Sequence, residues 1–151
     1  MALTNGQIPK LANVLNSGIA FMTGTTLGTL GTDTGGFPGY TAGTLGGRVY
    51  SVMGSTTFST VGGSNIFTYI LRNNSIVVPL GLVPMAVSAG NVTGTRNIDF
   101  LDGVNITGLP IDNTGKRYIP MQPNDVLKFS SLASLSTFRT IITCHGADYQ
   151  A

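Results

Sequence analysis

The chain has 151 residues, of which only 9% are charged, against about 25% in an ordinary soluble domain. Eight Lys and Arg stand against six acids, all of them Asp, for a net charge of +2, and the 21 glycines are about twice the usual share. That composition excludes helical bundles and coiled coils, which draw on Glu and Lys. With 42% hydrophobic residues it excludes wholesale disorder, and one Cys excludes a disulfide scaffold. A charge of +2 is too weak to point to nucleic acid as a partner. One domain spanning 1–151, with a single core, is expected at this length. The mean hydropathy is +0.27, and a surface so poor in charge is poorly protected against association. Much of it is expected to be covered, by copies of the same chain or by a partner.

From the first residues, Pro9, Lys10, Leu11, Val14 and Leu15 suit a short helix ending near Gly18. Residues 1–17 are therefore expected to form an N-terminal helical arm, its apolar face of Leu11, Val14 and Leu15 docked on its own body or on a neighbour. The opening MALTNGQIPK has no basic stretch followed by an apolar core, so synthesis in a cytosol is expected. Residues 23–47 are rich in Gly and Thr and keep neither helical nor strand periodicity. A long loop is expected there, anchored by Leu27, Leu30, Phe37 and Tyr40 and ordered by contacts with neighbouring subunits.

The remainder, 48–149, reads as short strands. Arg48–Met53 and Thr56–Thr60 flank a turn at Gly54-Ser55. Ile66–Arg72 is apolar nearly throughout and suits a strand covered on both faces. Asn73-Asn74 signals a turn into Ile76–Val78 and then Leu82–Ser88, with Pro79 and Pro84 marking edges or breaks. Residues 73–95 are uncharged, but Pro79, Gly81, Pro84 and Gly90 exclude a membrane helix. Asn97–Leu101, Tyr118–Met121 and Val126–Phe129 follow, the last entered through Pro123-Asn124-Asp125. Thr137–Cys144 closes the set, with Phe138, Thr140, Ile142 and Cys144 on one face. Evenly spaced short strands with turn residues between them predict an all-β fold, an antiparallel sandwich of jelly-roll type.

Chemistry-bearing constellations are sparse. His145 is the one histidine; it is expected just past the last strand, with Cys144 pointing to the opposite face and Asp148 nearby. Cys144 reads as a reduced thiol within a strand. Asp99, Asp102 and Asp112 are too few and too spread to predict a cation site, and Asp102-Gly103 reads as a turn. Gly-x-Ser-x-Gly, phosphate-loop and dinucleotide patterns are absent from the sequence. No catalytic residue, cofactor or metal is expected. Asn73, Asn91 and Asn105 head N-glycosylation tripeptides that read as by-products of a Thr- and Asn-rich composition. Lys116-Arg117 is a solvated turn or a contact with an acidic neighbour.

Three stretches carry a resemblance: the start MALTNGQI, the centre NIFTYILRNNSIVVPLGLVPM, and the end YIPMQPNDVLKF followed by FRTIITCHGADY. Together they resemble small virion proteins of tailed bacteriophages, in which a turn such as Pro123-Asn124-Asp125 leads into a strand. There the last strand closes on Gly-x-Asp-Tyr, here Gly146-Ala147-Asp148-Tyr149. The resemblance covers roughly residues 48–149 and points to the capsid decoration, or cement, proteins. It implies a β-rich homo-oligomer, a trimer by preference, made in the host cytoplasm and bound to the major capsid protein on the outer surface of the head. Leu11, Val14, Leu15, Leu27, Leu30, Phe37, Tyr40, Lys116 and Arg117 are the expected assembly contacts. A tail or fibre component such as a host-binding knob is the alternative, and a lectin-like ligand-binding sandwich a more distant one.

Overall fold

The computed structural model describes residues 12–24, 34–57, 64–86, 88–91, 95–132 and 135–150. Among them are nine strands and no helix: β1 (Ala12–Gly24), β2 (Phe37–Thr41), β3 (Gly47–Thr56), β4 (Ser64–Arg72), β5 (Ile76–Met85), β6 (Ile98–Asp99), β7 (Ile119–Met121), β8 (Val126–Ser131) and β9 (Leu135–Tyr149).

The chain pairs as one long nested hairpin. At its tip β4 turns into β5 through Asn73 and Asn74, both at positive φ (52° and 56°), and the Ser75 N–H donates to the Arg72 carbonyl at 3.2 Å. Two consecutive left-handed residues make a type I′ turn, whose twist matches that of paired strands, and Asn tolerates that region better than most residues. Behind the tip β3 pairs with β6 and β7, β2 with β8, and β1 with β9, all antiparallel. The ribbon then wraps so that β9 also pairs with β3 and β8 with β4. Two sheets result: β1-β9-β3-β6, with β7 also on β3, and β2-β8-β4-β5.

The apolar residues of each strand's inward face fill the space between the sheets. Ala20, Met22, Val49, Val52, Ile142 and Cys144 come from the first sheet, and Tyr40, Ile66, Ile70, Val83, Leu127 and Phe129 from the second, all buried. Phe100, just after β6, meets Phe129 edge-on at 5.8 Å. Each large aliphatic or aromatic side chain among them contributes roughly 1.5–3 kcal/mol by leaving water. Strand β4 is buried on both faces, as its nearly continuous apolar run predicts. Ile66 and Ile70 face the main core, while Phe67, Tyr69 and Leu71 form a second cluster on the opposite side, with Val77 and Leu132 against it.

Two sites lock the sandwich. At one corner β1 crosses β2 so closely that a Cβ on Gly18 would run into the Gly39 carbonyl. Gly39 is the bulged residue of β2, the ladder to β8 shifting between Pro38 and Tyr40. At the entry to β8, Pro123 and Asn124 (φ 60°) form a type II turn closed by the Asp125 N–H on the Gln122 carbonyl at 3.1 Å. The buried Asp125 carboxylate takes two bonds from Arg72, at 3.0 and 2.7 Å, and one from the Gln122 N–H at 2.9 Å.

Several expectations are corrected. The helical arm is one: residues 12–17 are strand, paired with β9 from Ala12 onward, and residues 1–11 lie outside the described residues. The spacing of Leu11, Val14 and Leu15 fits one face of a helix, but an isolated two-turn helix is costly to nucleate. The fifteen-residue β9 offers a backbone ladder along the whole of β1, so Gly18 continues the strand rather than stopping a helix. The loop expected at 23–47 contains the end of β1, the strand β2 and the start of β3; residues 25–33 lie outside the described residues. Gly54-Ser55 is no turn, since β3 runs through it against β9. Ile76–Val78 and Leu82–Ser88 form one strand, β5, over Ile76–Met85; its prolines are accepted because it is an edge strand that needs donors on one side only. The last strand extends to Tyr149, so His145 lies within it.

Candidate functional site

Period-2 alternation assigns the outer face of the first sheet. On β9 Thr140, Ile142 and Cys144 are buried, so Ile141, Thr143 and His145 point outward. On β1 Ala20 and Met22 are buried, while Leu15, Ile19 and Phe21 are 89%, 65% and 49% exposed. The register sets Phe21 beside Ile141, Ile19 beside Thr143, Ser17 beside His145 and Leu15 beside Ala147. The result is an apolar strip of Ile19, Phe21 and Ile141 on the outer face, and further along the same strand pair the exposed Leu15, one same-face residue pair beyond His145. Arg139 extends over the Phe21 ring, its guanidinium 6.0 Å from the centroid.

The strip leads to a cleft of about 380 Å³ lined by Leu15, Tyr50, Asp112, Thr114, Lys116, His145 and the backbone at Gly146-Ala147. Tyr50 and Lys116 also line a second hollow of about 230 Å³ with Asp99, Leu101, Asp102 and Arg117. Tyr50 is held from beneath. The Arg48 guanidinium lies 4.6 Å from the Tyr118 ring centroid, its Nε donates to the Tyr149 hydroxyl at 2.9 Å, and an Nη reaches the Tyr50 hydroxyl at 3.5 Å. The Tyr50 and Tyr118 rings are 5.9 Å apart. One cation over aromatic rings thus ties β3 to the end of β9 and to the residue entering β7.

The polar residues around this face mostly hold local backbone. Asp102 accepts from the N–H groups of Val104 and Asn105 at 2.8 Å, and Asp99 from that of Leu101 at 2.9 Å. Asp112 accepts from the Thr114 hydroxyl at 2.7 Å and the Lys116 N–H at 3.0 Å, bonds that hold its carboxyl below the usual carboxylate range. Arg117 donates to the Asp102 carbonyl at 3.2 Å. Among the described residues no three His, Cys, Asp or Glu side chains gather to hold a metal ion.

Asp148 faces the other way. It accepts from the Tyr40 hydroxyl and from Asn16 Nδ2, each at 2.9 Å, and Asn16 also reaches the Thr41 carbonyl at 3.0 Å. This clasp joins β9, β1 and β2 at the corner where the sheets meet. Burial, and then the neighbouring carboxylate, push the Tyr40 phenol above its ordinary range. Asp148 and His145 are three apart on a strand and fall on opposite faces, so they form no acid–base pair. Burial alone pushes the Cys144 thiol up to about 12, which keeps it protonated and inert at neutral pH.

Of the residues expected to make assembly contacts, the structure brings together Leu15, on the rim of the larger cleft, and Lys116 and Arg117, along the two hollows. Val14 is 46% exposed on β1. Tyr40 is buried and tied to Asp148, and Phe37 packs half-buried against the main core, so in the folded chain both serve the sandwich. Leu11, Leu27 and Leu30 lie outside the described residues. Sequence reasoning missed Ile19, Phe21, Ile141 and Tyr50. Ile19-Ala20-Phe21-Met22 is a continuous apolar run, so the sequence carried no alternation to mark the first two as outward. No family model, curated protein or solved structure matches the chain.

Proposed function

We propose that the chain is a non-enzymatic virion structural protein that binds the outer surface of a phage capsid and stabilises the shell by burying surface against copies of itself and the major capsid protein. The observation that carries this reading is the strand order. The sheets β1-β9-β3-β6 and β2-β8-β4-β5 are the order produced when a nested four-pair hairpin wraps into a jelly roll, an architecture used in viral capsid and lectin domains. The sequence resemblance to decoration proteins supplies the head location. The apolar strip on the first sheet fits a protein whose work is contact, and the aspartates at 99, 102, 112, 125 and 148 each hold the fold in place. A shell protein of this kind acts through many copies, so weak contacts add up.

Immunogold electron microscopy on particles from the producing lysate tests the proposal. Label over the whole head is expected. Label at the tail tip would replace head decoration by host recognition. Absence of label, with the epitope shown accessible, would overturn the virion reading.

A second reading rests on the cleft at Tyr50, where a half-buried aromatic and Asp112 converge as a ligand-binding jelly roll would require. Saturable binding of a glycan, lost in Tyr50→Ala, would favour it over the shell protein.

A further inference from the structure

The four edges of this sandwich are not treated alike. At the far edge of the second sheet β5 carries Pro79 and Pro84, both exposed, and a bulge opposite Thr68 and Tyr69. Its other edge, β2, is five residues long, with Pro38 and a bulge at Gly39. Among the described residues, beyond β3 in the first sheet lie only β6, two residues ending in Asp99, and β7, three residues around Pro120. Short length, proline, charge and bulges are the devices by which proteins stop a bare edge from templating another strand. Along β1 only the last of these is present, as a register shift against β9 near each end. The strand runs thirteen residues, Ala12–Gly24, without a proline or a charge, and among the described residues no strand pairs with its outer side.

From this contrast we infer that the outer edge of β1 pairs antiparallel with β1 of a second copy across a two-fold axis. A second copy fits because self-pairing puts each residue against its own strand, where any charge would meet a like charge, and β1 carries none. In such a pair residues of the same face stay together, because a two-fold preserves the alternation. The exposed Leu15, Ile19 and Phe21 of the two copies then line one outer face and cover one another. The contact is isologous and closes on itself, giving a dimer; a trimer would need a second, different edge, and the other three are blunted. The inference deepens the proposed function and rests on its claim of self-association.

Sedimentation equilibrium on the purified full-length protein, up to high micromolar concentration, tests the pairing. The protein is expected to form a dimer, and Ile19→Lys and Phe21→Lys are each expected to weaken it by about tenfold or more, one close like-charge repulsion across the axis. Leu82→Lys, on the already blunted β5, should leave dimerisation unchanged. Ile19 is mostly exposed, so Ile19→Lys should keep the wild-type unfolding midpoint when the two are compared at a concentration where both are monomeric. A monomer at all concentrations, a trimer, or equal disruption by Leu82→Lys would overturn the inference. Monomer in solution with label on the capsid would sink the pairing and leave the shell reading standing. Dimer with unlabelled particles would do the reverse.

Discussion

Strands β4 and β1 are both apolar, and the fold treats them in opposite ways. β4 lies inside its sheet between β8 and β5 and is buried on both faces from Ile66 to Leu71. β1 lies at the margin of the other sheet, buries Ala20 and Met22, and leaves Leu15, Ile19 and Phe21 to solvent. Position in the sheet, and not hydrophobicity, decides which apolar residues hold the monomer together. The residues left over are those available for contact with something else.

The largest expected effect separates the two strands directly. Phe67→Ala removes a ring stacked on Tyr69 at 4.9 Å and should cost about 3–5 kcal/mol in chemical denaturation. Ile19→Ala, on a mostly exposed side chain, should stay within about 0.5 kcal/mol in the monomer. Similar losses at both sites would erase the distinction.

Next comes the pin at the end of β4. Arg72→Ala strands the fully buried Asp125 carboxylate with only the Gln122 N–H, and should cost about 3–5 kcal/mol. Asp125→Ala should cost less, because Arg72 already reaches water with about a quarter of its side chain exposed. Equal costs in urea titrations would mean that the pair acts through packing and not through charge.

A gain is expected between the two faces of β4. Thr68 is buried on the inward face and its hydroxyl has no hydrogen-bond partner among the described residues. Thr68→Val keeps the shape and removes the unmet polar atom, so it should raise stability by about 1 kcal/mol, read as a higher melting temperature. A loss would show that the hydroxyl has a role that its surroundings do not display.

The smallest effect belongs to the surface. The Asp112 carboxyl is held below its usual range by the Thr114 hydroxyl and the Lys116 N–H, so ionisation favours the folded turn. Its contribution is complete above the unfolded-state value near 4 and fades as pH falls through the lowered folded value. NMR titration of the Lys116 amide should follow that carboxyl in acid, and Asp112→Asn should abolish the response.

How much was legible in the sequence follows the same division. β4 was readable because five of the six residues from Ile66 to Leu71 are apolar and need cover on both sides, and the turn at Asn73-Asn74 because Asn tolerates positive φ. The β8 entry was readable from Pro123-Asn124-Asp125, a proline followed by a residue suited to left-handed backbone. The start of β1, residues 12–17, was misread as helix because three apolar residues at helical spacing carry little weight against a ladder whose partner lies some 130 residues away. Lys116 and Leu15 were legible as exposed candidates; the cleft that joins them around Tyr50 was not, since it is assembled from β1, β3, β9 and the 112–116 turn.

Composition, periodicity and turn residues by themselves determined that this chain is β-structured, antiparallel and poor in charge, because those properties depend on neighbours along the chain. The tertiary structure alone decided which strands became edges, since an edge is defined by the strand that is missing beside it. It also decided that Asp148 would clasp Tyr40 while His145, three residues earlier, would face solvent, because a side chain's environment is set by the sheet face it falls on and by what the opposing sheet brings to it.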